Sequence, residues 1–196
     1  MEIIRDGTGN CYTTKVDSTN RLYTSSESFV VEEIKAKDGN GFILHGECHT
    51  AAAASGGLLY FKNTSATYDV YITRIYIDPH TLTEDYTIQQ IFDTTRTSGT
   101  DIGSTGKINK NRVSGNVLEG DLYISDASAD MTFSGGTQYH SFPVSSRSTI
   151  QRNMNGTNVI SPGKSIAFQW TATDGTGTDG EVISLSVNLY RTLIEE

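Results

Sequence analysis

Apolar and polar residues alternate with a period of two along much of this 196-residue chain, most clearly near the C-terminus. In residues 165–173, Ile166, Phe168, Trp170 and Ala172 alternate with Ala167, Gln169 and Thr171. In residues 182–193, Ile183, Leu185, Val187 and Leu189 alternate with Ser184, Ser186, Asn188 and Tyr190. Successive strand side chains point to opposite faces, so each run predicts a strand with one buried and one wet face. The Gly-rich residues 174–180 between them read as a turn. The two runs are therefore expected to pair as a hairpin, with Ile166, Phe168, Trp170, Ile183, Leu185 and Val187 in the core.

The same pattern predicts strands over residues 42–48, 58–62 and 70–78, the last stopped by Pro79, and over 86–95, where Tyr86, Ile88, Gln90 and Phe92 share a face. Residues 29–36 fit either period, and their β-branched content favours a strand. Residues 51–54, followed by Ser-Gly-Gly, read as a loop or a single helical turn, and 97–106 as a loop. Weak strands are expected at 116–118 and 121–125. Residues 131–134 and 139–144 flank Gly135-Gly136 and predict a hairpin, and 150–154 and 159–160 flank a further turn. About eight to ten short strands with turns between them define an all-β fold, an antiparallel β-sandwich of jelly-roll-like type over residues 25–196.

Residues 1–24 depart from this pattern. Asp6-Gly-Thr-Gly-Asn and Asp17-Ser-Thr-Asn are turn formers, and Tyr12, Val16 and Leu22 are isolated apolar points. The segment is expected to be an extended N-terminal arm that cannot bury a core of its own. Ordering a backbone costs about 1–2 kcal/mol per residue, so contacts must offset it. Arg5, Lys15 and Arg21 can bridge to carboxylates or carbonyls of a neighbour, and Tyr12, Val16 and Leu22 can fill shallow pockets on it. The competing expectation is an extra edge strand on the arm's own domain.

Composition supports the β reading: Gly (19) suits turns, and Tyr (10) suits half-buried pleated surfaces. No apolar run reaches the length of a membrane-spanning helix, and Met-Glu-Ile-Ile-Arg-Asp-Gly has no signal core, so secretion by a signal peptide is not expected. Two cysteines, Cys11 and Cys48, are expected to be free thiols in a reducing compartment. A net charge of −8 argues against nucleic acid and anionic membranes as partners. The compact basic group Lys107, Lys110 and Arg112 reads as a solvated loop.

His45, Glu47 and His49 would share one face of a strand, and two imidazoles with a carboxylate are metal-ligand types. The expected reading is nonetheless an ordinary polar face, with no metal and no cofactor. No nucleophile elbow, zinc-protease helix or phosphate loop is present, and no catalytic residue is expected. Glu32/Glu33 and Asp174/Asp179/Glu181 lack the context of a carboxylate pair, and the latter turn lacks calcium-loop spacing. Trp170 could join the tyrosines in a sugar-stacking platform, but its alternation with Ile166 and Phe168 assigns it to the core.

A set of short phrases, in order along the chain, resembles a group of tailed-bacteriophage virion structural proteins. Asp6-Gly-Thr-Gly…Lys15-Val-Asp-Ser-Thr-Asn-Arg-Leu22 is similar to their opening arm, and Leu58-Leu-Tyr-Phe-Lys-Asn63 with the following Tyr-Asp-Val-Tyr-Ile-Thr-Arg-Ile to a strand pair. Ser98-Gly-Thr100 resembles their Gly-Gly-Thr loop, 109–116 an Asn-rich segment, and Ser161-Pro-Gly-Lys-Ser-Ile-Ala167 the turn into the penultimate strand. The chain departs from the pattern at Cys11, at His45–His49 and in having a single Pro before Gly163. The resemblance implies a virion component without catalytic residues, and a capsid decoration (cement) protein as the favoured role. Its partners would be the major capsid protein or other virion proteins, in a homo-oligomer, with a trimer favoured, assembled in the host cytoplasm. A tail, neck or baseplate component and a carbohydrate-binding sandwich that contacts the host surface are the alternatives.

Overall fold

The computed structural model of the protein describes residues 31–80, 82–145 and 148–194, with the backbone alone at Ser104. Within the first thirty residues it describes the backbone of four short strands. The chain divides into two units, Met1–Val30 and Val31–Glu196.

In the first unit, β1 (Ile3–Arg5) pairs antiparallel with β2 (Cys11–Thr13), placing Arg5 opposite Cys11 and Ile4 opposite Tyr12. β3 (Lys15–Val16) pairs with β4 (Leu22–Tyr23), placing Val16 opposite Leu22. Each of these pairs satisfies backbone groups locally, strand against strand.

The second unit opens with α1 (Val31–Lys37), where a strand was expected. Glu32 and Glu33 in the first turn and Lys35 and Lys37 in the last match the helix dipole. The stop is a Schellman turn: Gly39 at φ +72° donates to the Ala36 carbonyl, and Asn40 donates to that of Lys35.

The strands that follow are β5 (Gly41–His49), β6 (Ser55–Asn63), β7 (Tyr68–Pro79), β8 (Tyr86–Phe92), β9 (Thr95–Ser98) and β10 (Thr100–Asp101). After the short turn α2 (Gly103–Gly106) come β11 (Lys107–Asn109), β12 (Gly120–Ile124), β13 (Met131–Ser134), β14 (Thr137–Val144), β15 (Ile150–Ile160), β16 (Ser165–Ala172) and β17 (Val182–Leu193). One sheet has the order β11-β5-β17-β7-β15 and the other β10-β12-β6-β16-β8-β14. Eight strands form the body: β5, β6, β7, β8, β14, β15, β16 and β17. Counted in chain order, the first, eighth, third and sixth make one sheet, and the second, seventh, fourth and fifth make the other. This is the double Greek key of a jelly roll. β10, β11 and β12 extend it along the edges of β5 and β6.

The expected C-terminal hairpin is absent. β16 lies between β6 and β8, and β17 lies between β5 and β7 in the other sheet. Both edges of each strand are already paired, so residues 173–181 carry the chain across the sandwich rather than around a hairpin. The core assignment survives, because alternation specifies faces and not neighbours. Ile166, Phe168, Trp170, Ile183, Leu185 and Val187 are all fully buried in one cluster between the sheets.

The hairpin expected around Gly135-Gly136 is also corrected. β13 pairs with β9 and β14 with β8. Ser134 opposes Thr95 and Thr137 opposes Phe92, so the two ladders share one register and form a single long ribbon, bent at Asp93 (φ +56°) and at Gly135 and Gly136. The bend folds β13 over the outer face of β6, where Met131 covers Tyr60 and Ala167. Gly57 is required there: a Cβ would lie 2.8 Å from the Phe133 ring. Within the expected loop 97–106, residues 97–98 and 100–101 belong to strands, and a further strand, 107–109, follows it, whereas 116–118 is not one. The turn expected between 154 and 159 is an irregularity inside β15, where pairing with β7 shifts between Asn153 and Asn158.

Candidate functional site

Of the residues expected to bind a partner, Arg5, Tyr12, Lys15, Val16 and Leu22 lie on the strands of the N-terminal unit, where the backbone alone is described. Arg21 lies outside the described residues. The ladders place Val16 opposite Leu22, while Arg5, Tyr12 and Lys15 each face other partners.

Immediately after this unit, one flank of the sandwich is built by α1, β11 and residues 110–118. The Asn-rich segment holds it together. Asn109 Nδ2 donates to the Gly39 and Asn116 carbonyls (3.0 and 2.8 Å), and Asn111 Nδ2 donates to the Lys37 carbonyl (2.8 Å). Lys110 pairs with Glu32. Burial opposes ionisation of Glu32, but the hydrogen bond and charge of Lys110, with help from Thr73 and Arg74, leave its carboxyl below the usual range. Arg191 donates to the Val117 carbonyl (2.7 Å) and to Asn40 (3.1 Å). The polar frame leaves apolar side chains facing outward: Val31, Ile34, Ile108, Val113 and Val117 are all exposed, Val113 at 93%. α1 buries no residue at all. A seven-residue helix gains little from propensity alone, so the Asn and Lys contacts hold it in place.

His45, Glu47 and His49 do share the outer face of β5. Of the three, His45 pairs with β17: its Nδ1 lies 2.8 Å from Ser186 Oγ. His80 lies 2.9 Å from Ser184 Oγ and 3.7 Å from Asp78. Among the described residues no three His, Cys, Asp or Glu side chains converge as a metal would require. Cys48 is a free thiol, fully buried, and burial pushes its pKa well up.

The C-terminal turn carries a buried carboxylate that its sequence context did not single out. Glu181 is 4% exposed. Its Oε1 accepts from the Thr83 N–H (2.5 Å) and hydroxyl (2.6 Å), and its Oε2 accepts from the Tyr86 hydroxyl. Thr178 N–H also points at the Tyr86 oxygen (3.2 Å), and Thr50 Oγ1 donates to the Thr178 carbonyl (2.5 Å). Burial, followed by the bond to Glu181, pushes the Tyr86 hydroxyl up to about 12. The knot ties together three connections between the sheets. It sits where the chain crosses between the sheets and acts as a clasp. Trp170 packs behind it, edge-on to Tyr86 at 5.4 Å, so it is a core residue and not a sugar platform.

No family model matches the chain, and no similar protein was found among curated sequences or solved structures.

Proposed function

We propose that this chain is a virion structural protein of tailed bacteriophages, a non-enzymatic capsid decoration protein that binds the major capsid protein through protein–protein contacts. The reading is supported chiefly by where the phage-like phrases fall on the fold. Leu58–Asn63 is the core of β6, and the phrase after it opens β7. The Ser161–Ala167 phrase is the turn that delivers β16 to the centre of its sheet. The 109–116 phrase is the segment that caps the carbonyls at the end of α1. These resembling segments therefore have structural work in a jelly roll, an architecture used by viral shell domains.

Attachment runs through the N-terminal unit and, on the second unit, the flank of α1. Its exposed Val31, Ile34 and Val113 supply apolar area, and Arg5, Lys15 and Arg21 supply cations for shell carboxylates. The net charge of −8 suits an outer shell surface that does not meet packaged DNA. Assembly as a closed homo-oligomer, a trimer, fits the threefold positions of a shell.

The test is sedimentation of the purified chain with phage shells that lack it. The intact chain is expected to co-sediment. The chain without residues 2–21 is expected to stay folded, with a near-normal melting temperature, and to remain in the supernatant. If the intact chain does not bind shells, or the truncated chain decorates them normally, the proposal fails.

A further inference from the structure

The open edge of the sandwich, between β14 and β15, brings two breaks of register together. These strands end their respective sheets, and each breaks register where it faces the other. In β14 the pairing with β8 shifts between Gln138 and His140, so Tyr139 is the extra residue of a bulge. A bulge re-aims its side chain. Tyr139 sits edge-on to Phe92 at 5.6 Å and to His140 at 4.4 Å, and its own ring is 56% exposed. In β15 the shift between Asn153 and Asn158 coincides with Asn155 at φ +49°, a conformation that a non-glycine residue adopts at some cost.

The two irregularities enclose a groove with two hollows, of about 380 and 450 Å³, that share Tyr139 and Thr157 as a common ridge. These volumes lie in the range of small-ligand sites. Asn158 lines the first hollow. Its side chain is 3% exposed, and its Nδ2 has no hydrogen-bond partner. A buried amide donor without a partner is uncommon and calls for one. The one acid and one lysine at the rim of that hollow, Asp93 and Lys164, bind each other at 3.1 Å. The second hollow adds Arg152, Asn153 and Asn155.

We propose that this groove binds a hydroxyl-rich oligosaccharide of two or three rings, one ring stacked on Tyr139 and its neighbours in the flanking hollows. An exposed aromatic ring, held rigid by edge contacts to Phe92 and His140, offers a flat apolar face to the C–H side of a sugar. Asn158 and the amides of β15 supply the short polar contacts that a sugar's hydroxyls accept and donate. An extended peptide is disfavoured, because strand addition needs an uninterrupted edge and the Tyr139 bulge breaks the row of donors and acceptors there. The groove shares no residue with the shell-binding elements proposed above, so a decoration protein could carry it as a receptor for a host glycan.

The test uses the full chain, isotope-labelled, titrated in turn with chitotriose, maltotriose, cellotriose and mannotriose while amide NMR shifts are followed. At least one trisaccharide is expected to shift resonances of residues 137–142 and 153–159 in a saturable manner. Tyr139→Ala is expected to weaken that binding about tenfold or more, with an unchanged melting temperature, because the ring is exposed. Tyr139→Phe, which keeps the stacking face, is expected to bind within a few-fold of the native chain. The proposal is overturned if no trisaccharide shifts these residues at millimolar concentration, if the shifts lie elsewhere, if Tyr139→Ala binds as the native chain does, or if Tyr139→Phe loses binding as Tyr139→Ala does.

Discussion

The clasp at Glu181 makes a prediction that separates a structural knot from an accidental contact. Tyr86→Phe removes one hydroxyl and leaves the ring in place against Trp170. The lost hydrogen bond is to a carboxylate that is 4% exposed, and Thr178 N–H loses its acceptor at the same time. Hydrogen bonds to charged groups contribute about 1.5–3 kcal/mol, so a loss of about 2–3 kcal/mol is expected. For a unit of this size that lowers the melting temperature by about 4–12 °C. Glu181→Ala strips the acceptor from Tyr86 and from both donors of Thr83, and is expected to cost about 3–5 kcal/mol. The decisive measurement is the double variant in urea denaturation. Once Glu181 is gone the Tyr86 hydroxyl has lost its main partner, so the combined loss should fall short of the sum by at least about 1 kcal/mol. The hydroxyl's pKa stands near 12 in the folded chain against 10.0 when free. The unfolded chain therefore gives up this proton first. Stability from this group is intact below about pH 10 and declines between about 10 and 12, by about 1.4 kcal/mol per pH unit. Tyr86→Phe should abolish that component of the alkaline decline. Additivity of the two substitutions within about 0.5 kcal/mol would refute the clasp.

Two further outcomes follow from the core. Leu185 is fully buried in the central strand of its sheet, so Leu185→Ala should lose about 2–5 kcal/mol in thermal or urea unfolding, and a native-like melt would show the register of β17 to be wrong. In a Cys11→Ser background, Cys48 should fail to react with an aromatic disulfide reagent in the native state and react freely in urea, because its thiol is buried and its ionisation suppressed; prompt native reaction would contradict its placement.

The strands were legible where a one-sided burial pattern was strong. Residues 165–173 and 182–193 fall on β16 and β17 to within a residue, and the six core side chains read from them are buried as expected. Strand partners were not legible. Adjacent amphipathic strands with a Gly-rich link suit a hairpin, but residues 174–181 carry the Glu181 clasp, and Thr50, Thr83 and Tyr86 lie far from it in sequence. A contact made across the sandwich leaves no local signature. α1 was misread for a different reason. Val30, Val31 and Ile34 satisfy both periods over so short a run, and the deciding signal was its end, Asp38-Gly39, with the glycine at positive φ.

The groove shows why the site residues were harder to read than the fold. Period-two alternation predicts faces only while the ladder is regular, and a bulge is the one place where two neighbours share a face. Gln138, Tyr139 and His140 carry no alternation that separates a bulge from a plain edge strand, so Tyr139 was counted as an ordinary strand residue. Asn155-Gly156 was readable as a reversal, but a reversal in sequence is equally compatible with two strands and a turn as with one strand that bulges. Trp170, the chain's single tryptophan, is core: it is fully buried and pairs in regular register with Ile88 of β8. The informative aromatic is instead Tyr139, the extra residue of an edge-strand bulge that stays exposed. In an edge strand of a β-sandwich, exposure of a large ring at a bulge costs hydration of apolar surface that a regular strand would have avoided. A ring kept there by edge contacts on two sides, beside a buried amide without a partner, is therefore stronger evidence of a ligand than any residue type in the sequence.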